Sequence, residues 1–328
     1  MIYNYNNVLL CNNYHQGLTM DILISEVGLR DGLQSIDRVL DIEVKKSWIS
    51  AEAAAGVREI EVGSFVNYKA LPQMADTAAL VQFAKTIPGL TVAVLVPNLY
   101  GAKSALEAEV DVLSIPVSAS ETHSKLNVRR THKQMIEEIR DIRAVIDELP
   151  ESRRPHFSAN VSTAFGCSIE GDVPVATVVD LAERMLDAGA DEIGLSDTTG
   201  YADPRAVRER VRAVRSAIGK DKLLGVHLHN TRGLGLANAL AALDEGITTI
   251  DSSLAGLGGC PAAPGASGNI VTEDLAFMLE AMGCKTGIDL EKLFEVRKVL
   301  AGGLPDEPLY GFVTDSGIPL GFSGSPQV

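Results

Sequence analysis

The stretches E-A-A-A-G-V-R-E-I-E-V (52–62), L-D-A-G-A-D-E-I-G-L (186–195) and L-D-E-G-I-T-T-I-D-S (243–252) decide the fold. Each runs from a helical pattern through one glycine into a short apolar run. A glycine there supplies the left-handed residue that closes a helix C-terminus, so each stretch is a joint from helix to strand. Outward from these joints the same unit repeats from Asp21 onward: a run rich in Val, Ile and Leu, a polar turn, then a helical pattern ending in glycine. The clearest helix lies between Pro174 and Gly189, with Val178, Leu181, Ala182, Met185 and Leu186 on one face and Pro174 near its first turn. Strand candidates fall at 22–26, 59–63, 91–96, 110–116, 156–162, 192–196, 223–229 and 248–254. Apolar runs such as V-A-V-L-V (92–96) fit strands covered on both faces, as in a parallel sheet flanked by helices. Eight β/α units predict an α/β fold, a (β/α)8 TIM barrel over 21–300 with a short C-terminal extension, 301–328. A doubly wound sheet is the alternative, and no glycine fingerprint follows the first strand to support it.

Composition narrows the function. The 328 residues are 46% hydrophobic, enough to bury a full core as one large domain or two smaller ones, and the repeating unit favours one. A formal net charge of −14 argues against nucleic-acid binding, which needs a basic face. No apolar run is long enough to span a bilayer. Four cysteines without CxxC spacing, and no secretory signal pattern, predict a reduced cytoplasmic protein. Residues 1–20 are asparagine-rich and aperiodic, which reads as a poorly ordered leader or as an upstream start before Met20. The tail beyond Leu300, with Tyr310, Phe312 and Phe322, reads as an extension packed on the barrel or as an oligomer contact.

In such a barrel, chemistry gathers where strands run into the loops that follow them. There the sequence places Arg30 and Asp31, Glu61 and Ser64, Asp197, and the pair His227 and His229. Alternate residues of a strand share a face, so both imidazoles would aim into the barrel mouth. A lone histidine would read as a hydrogen-bonded core residue. Two at this spacing, with Asp31 and Asn269 on neighbouring strand ends, predict a metal site. Its mixed N/O set suits Mg²⁺ or Mn²⁺ better than structural zinc. Arg30 reads either as an ion pair closing the barrel or as a catalytic arginine for oxyanion charge. Neighbours Arg30 and Asp31 reach one site only if the chain turns, which Gly28 and Gly32 permit. Glu61 and Asp197 fit a direct role or the orientation of other side chains.

The stretch D-S-S-L-A-G-L-G-G-C-P-A-A-P-G-A-S-G-N (251–269) predicts a long mobile loop without regular helix or strand through its middle, of the kind used as a lid. Cys260 at its centre fits a proton donor or acceptor, while Cys11, Cys167 and Cys284 read as small hydrophobes.

Together these motifs resemble the hydroxymethylglutaryl-CoA (HMG-CoA) lyase family over roughly 22–300. They are L-A-G-L-G-G-C-P with G-A-S-G-N and T-E-D-L (254–275), E-V-G-L-R-D-G-L-Q (26–34), S-F-V (64–66), P-Q-M (72–74) and H-L-H (227–229). The resemblance implies a divalent cation held by Asp31, His227, His229 and Asn269. It implies catalytic roles for Arg30, Asp31, Glu61 and Cys260, to which strand-end position adds Asp197; substrate contacts are expected from Arg30, Gln34, Ser64 and Asn160, and from Lys125 on local charge. The reaction would be retro-Claisen cleavage of a 3-hydroxy-3-methylglutaryl-CoA-like substrate to acetyl-CoA and a 3-oxo acid, acetoacetate for HMG-CoA itself, as in leucine degradation. A homodimer is implied as well. The sequence departs from the family pattern at Asn160, where a tyrosine is usual, at Gly194, where serine is, and at Leu29, where proline precedes Arg-Asp. Those departures keep open a related hydroxyacyl-CoA, such as citramalyl-CoA or a longer-branched 3-hydroxyglutaryl-CoA. Lys125, Arg129 and Arg130 read either as a CoA contact or as a solvated helix start. A Claisen-type synthase and a metal aldolase on a similar barrel are the other readings, and the G-L-G-G-C-P stretch fits neither.

Overall fold

The computed structural model describes residues 20–260 and 263–322, leaving the side chains of 259–267 undescribed. The leader expected over 1–20 therefore lies outside the described residues except for Met20, as do the last six positions. Eight parallel strands close into a barrel in chain order: β1 (Leu23–Glu26), β2 (Glu59–Ser64), β3 (Thr91–Leu95), β4 (Val112–Ser118), β5 (His156–Ser162), β6 (Glu192–Ser196), β7 (Leu223–His227) and β8 (Thr249–Ser252). The closing pair is β1 with β8, in register from Leu23 opposite Thr249 to Glu26 opposite Ser252. This is a TIM barrel, as the repeated joints predict.

The helices that cover it are α1 (Ile42–Ala54), α2 (Thr77–Ala84), α3 (Leu99–Glu107), α4 (Glu121–Asn127), α5 (His132–Asp147), α6 (Val175–Asp187), α7 (Pro204–Ile218), α8 (Gly235–Asp244), α9 (Thr272–Ala281), α10 (Leu290–Gly303) and α11 (Phe312–Ser316). Their ends follow local chemistry. Asp41, Asn98, Thr131, Asp203 and Asp289 cap N-termini by accepting backbone N–H groups. In α6 the buried face is Val178, Leu181, Ala182 and Met185, and Pro174 is the N-cap residue. The joint glycines Gly56, Gly189 and Gly246 have φ of 96°, 109° and 83°, the left-handed turn that ends each helix. Helix α10 continues three residues past the barrel boundary read after Leu300.

Strand parity separates two environments. On β5, Phe157, Ala159 and Val161 are buried against helices, while His156, Ser158, Asn160 and Ser162 line the bore. On β4, Leu113, Ile115 and Val117 point outward, and Val112, Ser114 and Pro116 point in. With Ser25, Ala93, Gly194 and Gly225 also on the inner wall, the bore stays open as a cavity of about 430 Å³.

Two expectations change. The 251–269 stretch is not without regular structure: Leu254–Gly256 forms a 3₁₀ turn, and β9 (Gly259–Cys260) pairs antiparallel with β10 (Ala263–Ser267). Glycine tolerates extended backbone, and a register irregularity between Ala263 and Ser267 leaves Pro264 out of the regular ladder. Strand β7 stops at His227, two residues short of its expected end, because His229 leaves the barrel ladder to bridge Asn269.

Candidate metal centre and active site

The first strand ends in a single π-helical turn, Gly28–Gly32. Backbone N–H groups of Arg30, Asp31 and Gly32 all converge on the Val27 carbonyl, and the turn brings two sequence neighbours into one site. Only a residue without a side chain fits at position 28, where an added Cβ would lie 2.7 Å from Glu26 Oε1 and 2.8 Å from Trp48 Cζ2. Arg30 Nε donates to Glu61 Oε2, and its Nη1 donates to Asp31 Oδ1 at 2.5 Å. Burial alone would lower the Arg30 pKa, but Glu61 and Asp31 outweigh it and hold the guanidinium firmly charged. Burial also pushes Asp31 up, yet Arg30, His227 and His229 leave its carboxyl below the usual range. For Glu61 burial wins over Arg30, and its pKa is raised.

Across the mouth, His227 Nε2 and His229 Nε2 lie 3.0 Å apart, and Asp31 Oδ2 is 4.0 and 3.9 Å from them. These atoms could share one cation: among the described residues, this is the group of three possible ligands whose donor atoms all lie within 4.8 Å of one another. The tautomer favours such use. His227 Nδ1 is 3.1 Å from Asp251 Oδ2, so an Nδ1–H bonded there leaves the Nε2 lone pair facing Asp31. Burial lowers the His227 pKa, but the bond to Asp251 and the Asp31 charge raise it overall. Burial and then His227 push His229 down to about 4, which keeps that imidazole neutral and able to ligate. The Asn269 amide belongs to the same cluster, its Nδ2 donating to Asp31 Oδ2 at 2.9 Å and to the Leu257 carbonyl at 3.1 Å. The donor set, two imidazoles and an ionised carboxylate with an amide beside them, fits a divalent cation, whose approach would displace any proton on His227.

The other expected residues divide. Gln34 lines the cavity and donates to Asp31 Oδ1 at 3.0 Å. Asn160 lines it too, donating to Ser114 Oγ at 2.7 Å; a Cβ on Gly194 would stand 1.9 Å from Asn160 Oδ1, so this placement of the Asn160 amide uses the space that glycine leaves at 194. Ser64 is buried at the end of β2, and its hydroxyl has no partner among the described residues. Asp197 is buried behind the cavity wall, where Oδ1 accepts the Tyr201 and Ala202 N–H groups; burial pushes its pKa up to about 7 against those bonds. Lys125 is exposed on α4, 3.4 Å from Glu121. Cys260 ends β9, and its side chain lies outside the described residues.

Asp251 is a site residue that the sequence reading passed over. Its signal was an acid at an inward position of β8, directly opposite His227 in the β7–β8 register.

The fold and this mouth define a class, TIM barrels with side chains fit to hold a divalent cation where the strands end. The comparisons narrow it. A family model described as HMGL-like matches residues 21–300. The chain is 38% identical over 277 residues to a hydroxymethylglutaryl-CoA lyase of Bacillus subtilis, covering 84% of this chain and 91% of that one. It is 39% identical over 287 residues to the mitochondrial hydroxymethylglutaryl-CoA lyase of Macaca fascicularis, covering 88% of this chain and 87% of that one. A solved HMG-CoA lyase from Acinetobacter baumannii, in complex with coenzyme A and 3-methylmalate, superposes with a TM-score of 0.84 at 37% identity, covering 93% of this chain and 98% of that one. The chain belongs to the HMG-CoA lyase family, whose members are carbon–carbon lyases.

Proposed function

We propose that this chain cleaves 3-hydroxy-3-methylglutaryl-CoA to acetyl-CoA and acetoacetate, and that Asp31, His227, His229 and the amide oxygen of Asn269 hold Mg²⁺ or Mn²⁺ for the reaction. The observation that carries the reading is the convergence of Asp31, His227 and His229 beside the Arg30–Glu61 pair at the mouth of one cavity. A divalent cation bound there supplies Lewis-acid polarisation of the substrate oxygens. Arg30, charged and fixed by Glu61 and Asp31, faces the position where negative charge grows as a base takes the tertiary hydroxyl proton, the carbon–carbon bond breaks to leave the ketone of acetoacetate, and the acetyl-CoA enolate departs. Glu61 holds the guanidinium in that orientation. Gln34 and Asn160 bind substrate from the cavity wall, and the buried Ser64 hydroxyl at the end of β2 turns toward substrate only if that end opens. Asp197 braces the loop after β6 through the Tyr201 and Ala202 amides. Cys260 hands a proton to the enolate, and Lys125 meets the CoA phosphates from α4.

A homodimer in the cytoplasm, supplied by leucine degradation, completes the reading. Two observations support it: Phe312 is 80% exposed beside Phe277, Met278 and Val313, which suits a second copy, and no helix among the described residues is long and apolar enough to cross a membrane.

Mass spectrometry of acetyl-CoA release from a panel of 3-hydroxyacyl-CoAs by the Mg²⁺-loaded protein tests the substrate. Cleavage of HMG-CoA at an ordinary turnover, on the order of 1–10³ s⁻¹, is expected. Preference for citramalyl-CoA would replace the substrate, and silence across the panel would end the lyase reading. Cys260→Ser should leave metal content unchanged in elemental analysis while kcat falls by about a hundredfold; an unchanged kcat would remove the thiol from the reaction.

A further inference from the structure

Where β8 runs into the glycine-rich stretch, Ala255 holds a left-handed conformation, φ 57° and ψ 18°. Side chains with a Cβ disfavour that region, so the surrounding contacts must impose it. Both peptide groups of Ala255 are engaged. Its N–H donates to Glu273 Oε2 at 2.9 Å, and its carbonyl accepts the Tyr310 N–H at 2.8 Å. Glu273 is fully buried on α9, and its Oε1 lies 3.2 Å from Arg297 Nη1 on α10. The same Nη1 donates to the Tyr310 carbonyl at 2.5 Å. Ala255, Glu273, Arg297 and Tyr310 therefore form a closed ring of hydrogen bonds joining the turn after β8, two helices and the C-terminal extension. Asp274 pins the extension one step further on, accepting the Phe312 and Val313 N–H groups at 3.1 and 2.8 Å.

The ring faces the cation cluster from behind. Two residues beyond Ala255, the Leu257 carbonyl accepts the Asn269 amide that also donates to Asp31. Next in the chain, Gly258 packs so closely that an added Cβ would be 2.9 Å from Asn269 Nδ2 and 3.1 Å from Gly32 Cα. A shift of the Ala255 turn would move the Leu257 carbonyl, and with it the amide.

We propose that the C-terminal extension is a latch for the metal centre: through Arg297 and Glu273 it holds Ala255 left-handed and so sets Asn269 against Asp31. Arg297 and Glu273 are positioning residues, remote from substrate. The inference rests on the reading of Asp31 and Asn269 as ligands, and its test separates the two ideas.

The measurement is Mn²⁺ binding to the full-length protein, followed by the electron paramagnetic resonance of free Mn²⁺. Arg297→Met should weaken binding about tenfold, and turnover should recover when Mn²⁺ is saturating, which loss of a catalytic group would not allow. Arg297→Lys should regain most of the affinity. Adding Ala255→Gly to Arg297→Met should recover about threefold, because glycine takes the left-handed conformation unaided. If Arg297→Met fails to fold, Asp274→Ala, which frees the extension without touching the Glu273–Arg297 pair, should show about a threefold loss. Asn269→Ala serves as the control. Wild-type affinity in Asn269→Ala would overturn the ligand reading and the latch together. Weak binding in Asn269→Ala with wild-type affinity in Arg297→Met, or in Asp274→Ala where that stands in for it, would overturn the latch alone.

Discussion

The two rims of the barrel use the same residue types for opposite ends. At the lower rim, Gly56 sits where a Cβ would come within 2.0 Å of the Gly287 carbonyl, Gly189 lies against the Arg143 side chain, and the charges pair near solvent, as in Arg143 with Asp191 and Arg58 with Asp21. At the upper rim, Gly28 and Gly258 make room for Glu26, Trp48 and the Asn269 amide, and the charges of Arg30 and Glu61 are buried with Asp31 half-buried beside them. Glycine below closes helices; glycine above lets ionic groups crowd together. The difference teaches that stability and chemistry are written at opposite ends of the same strands, so each can be altered with the other left in place.

The largest expected separation comes from Arg30→Gln. It should lower kcat by about a thousandfold, about 4 kcal/mol of transition-state stabilisation, with Mn²⁺ binding kept. A loss confined to KM would mean that Arg30 only binds substrate. At the lower rim Gly56→Ala should do the reverse, lowering the unfolding free energy in urea by about 3 kcal/mol while kcat at 25 °C stays within twofold. A large kcat loss in a folded variant would break the division of labour between the rims.

A smaller effect tests the support behind the ligands. Asp251→Asn keeps the shape but not the charge that orients His227, and should weaken Mn²⁺ affinity 10- to 100-fold, about 2 kcal/mol. Titration calorimetry showing wild-type affinity would reduce Asp251 to a packing residue.

The smallest effect per unit of the variable changed is in the pH dependence of stability. Burial pushes Glu26 up to about 8, outweighing the bonds it accepts from Thr272, Leu254 and Gly28, and burial with Glu26 as neighbour raises Glu52 well above an ordinary carboxyl. Between about pH 4.5 and 8 the native state holds protons that the unfolded chain has released. Stability therefore falls as pH rises through that window and levels off above it, with a slope of up to about 1.4 kcal/mol per pH unit for each proton held. Glu52→Gln keeps an acceptor for Trp48 Nε1 and should flatten the curve in urea titrations; an unchanged slope would place the protons elsewhere.

Much of this was legible in the residues. The three joints announced the barrel because a glycine between two periodicities has a local cause. The Arg30–Asp31 neighbours and the His227–His229 pair announced the mouth because turn geometry and strand parity are also local. What stayed hidden was long-range. Asp251 sits in a strand whose alternation looks ordinary, and only the β7 register brings it to His227. Glu26 bonds Leu254 and Thr272 from the other end of the chain. The β9–β10 pairing was masked by a composition of glycine and proline that reads as loop, since propensity ignores what two short extended segments gain when brought together.

The open bore carries a calorimetric consequence. In a barrel whose centre is filled by large branched side chains, unfolding uncovers that apolar layer and raises the heat capacity. Here Ser25, Ser114, Ser158, Asn160, Gly194 and Gly225 take many of the inner positions, between Leu23, Ala93, Leu95, Val112 and Pro116, and the centre is a cavity rather than a filled layer. The heat-capacity change on unfolding should fall below the usual value of about 12–15 cal/mol/K per residue, giving a broader and flatter curve of stability against temperature.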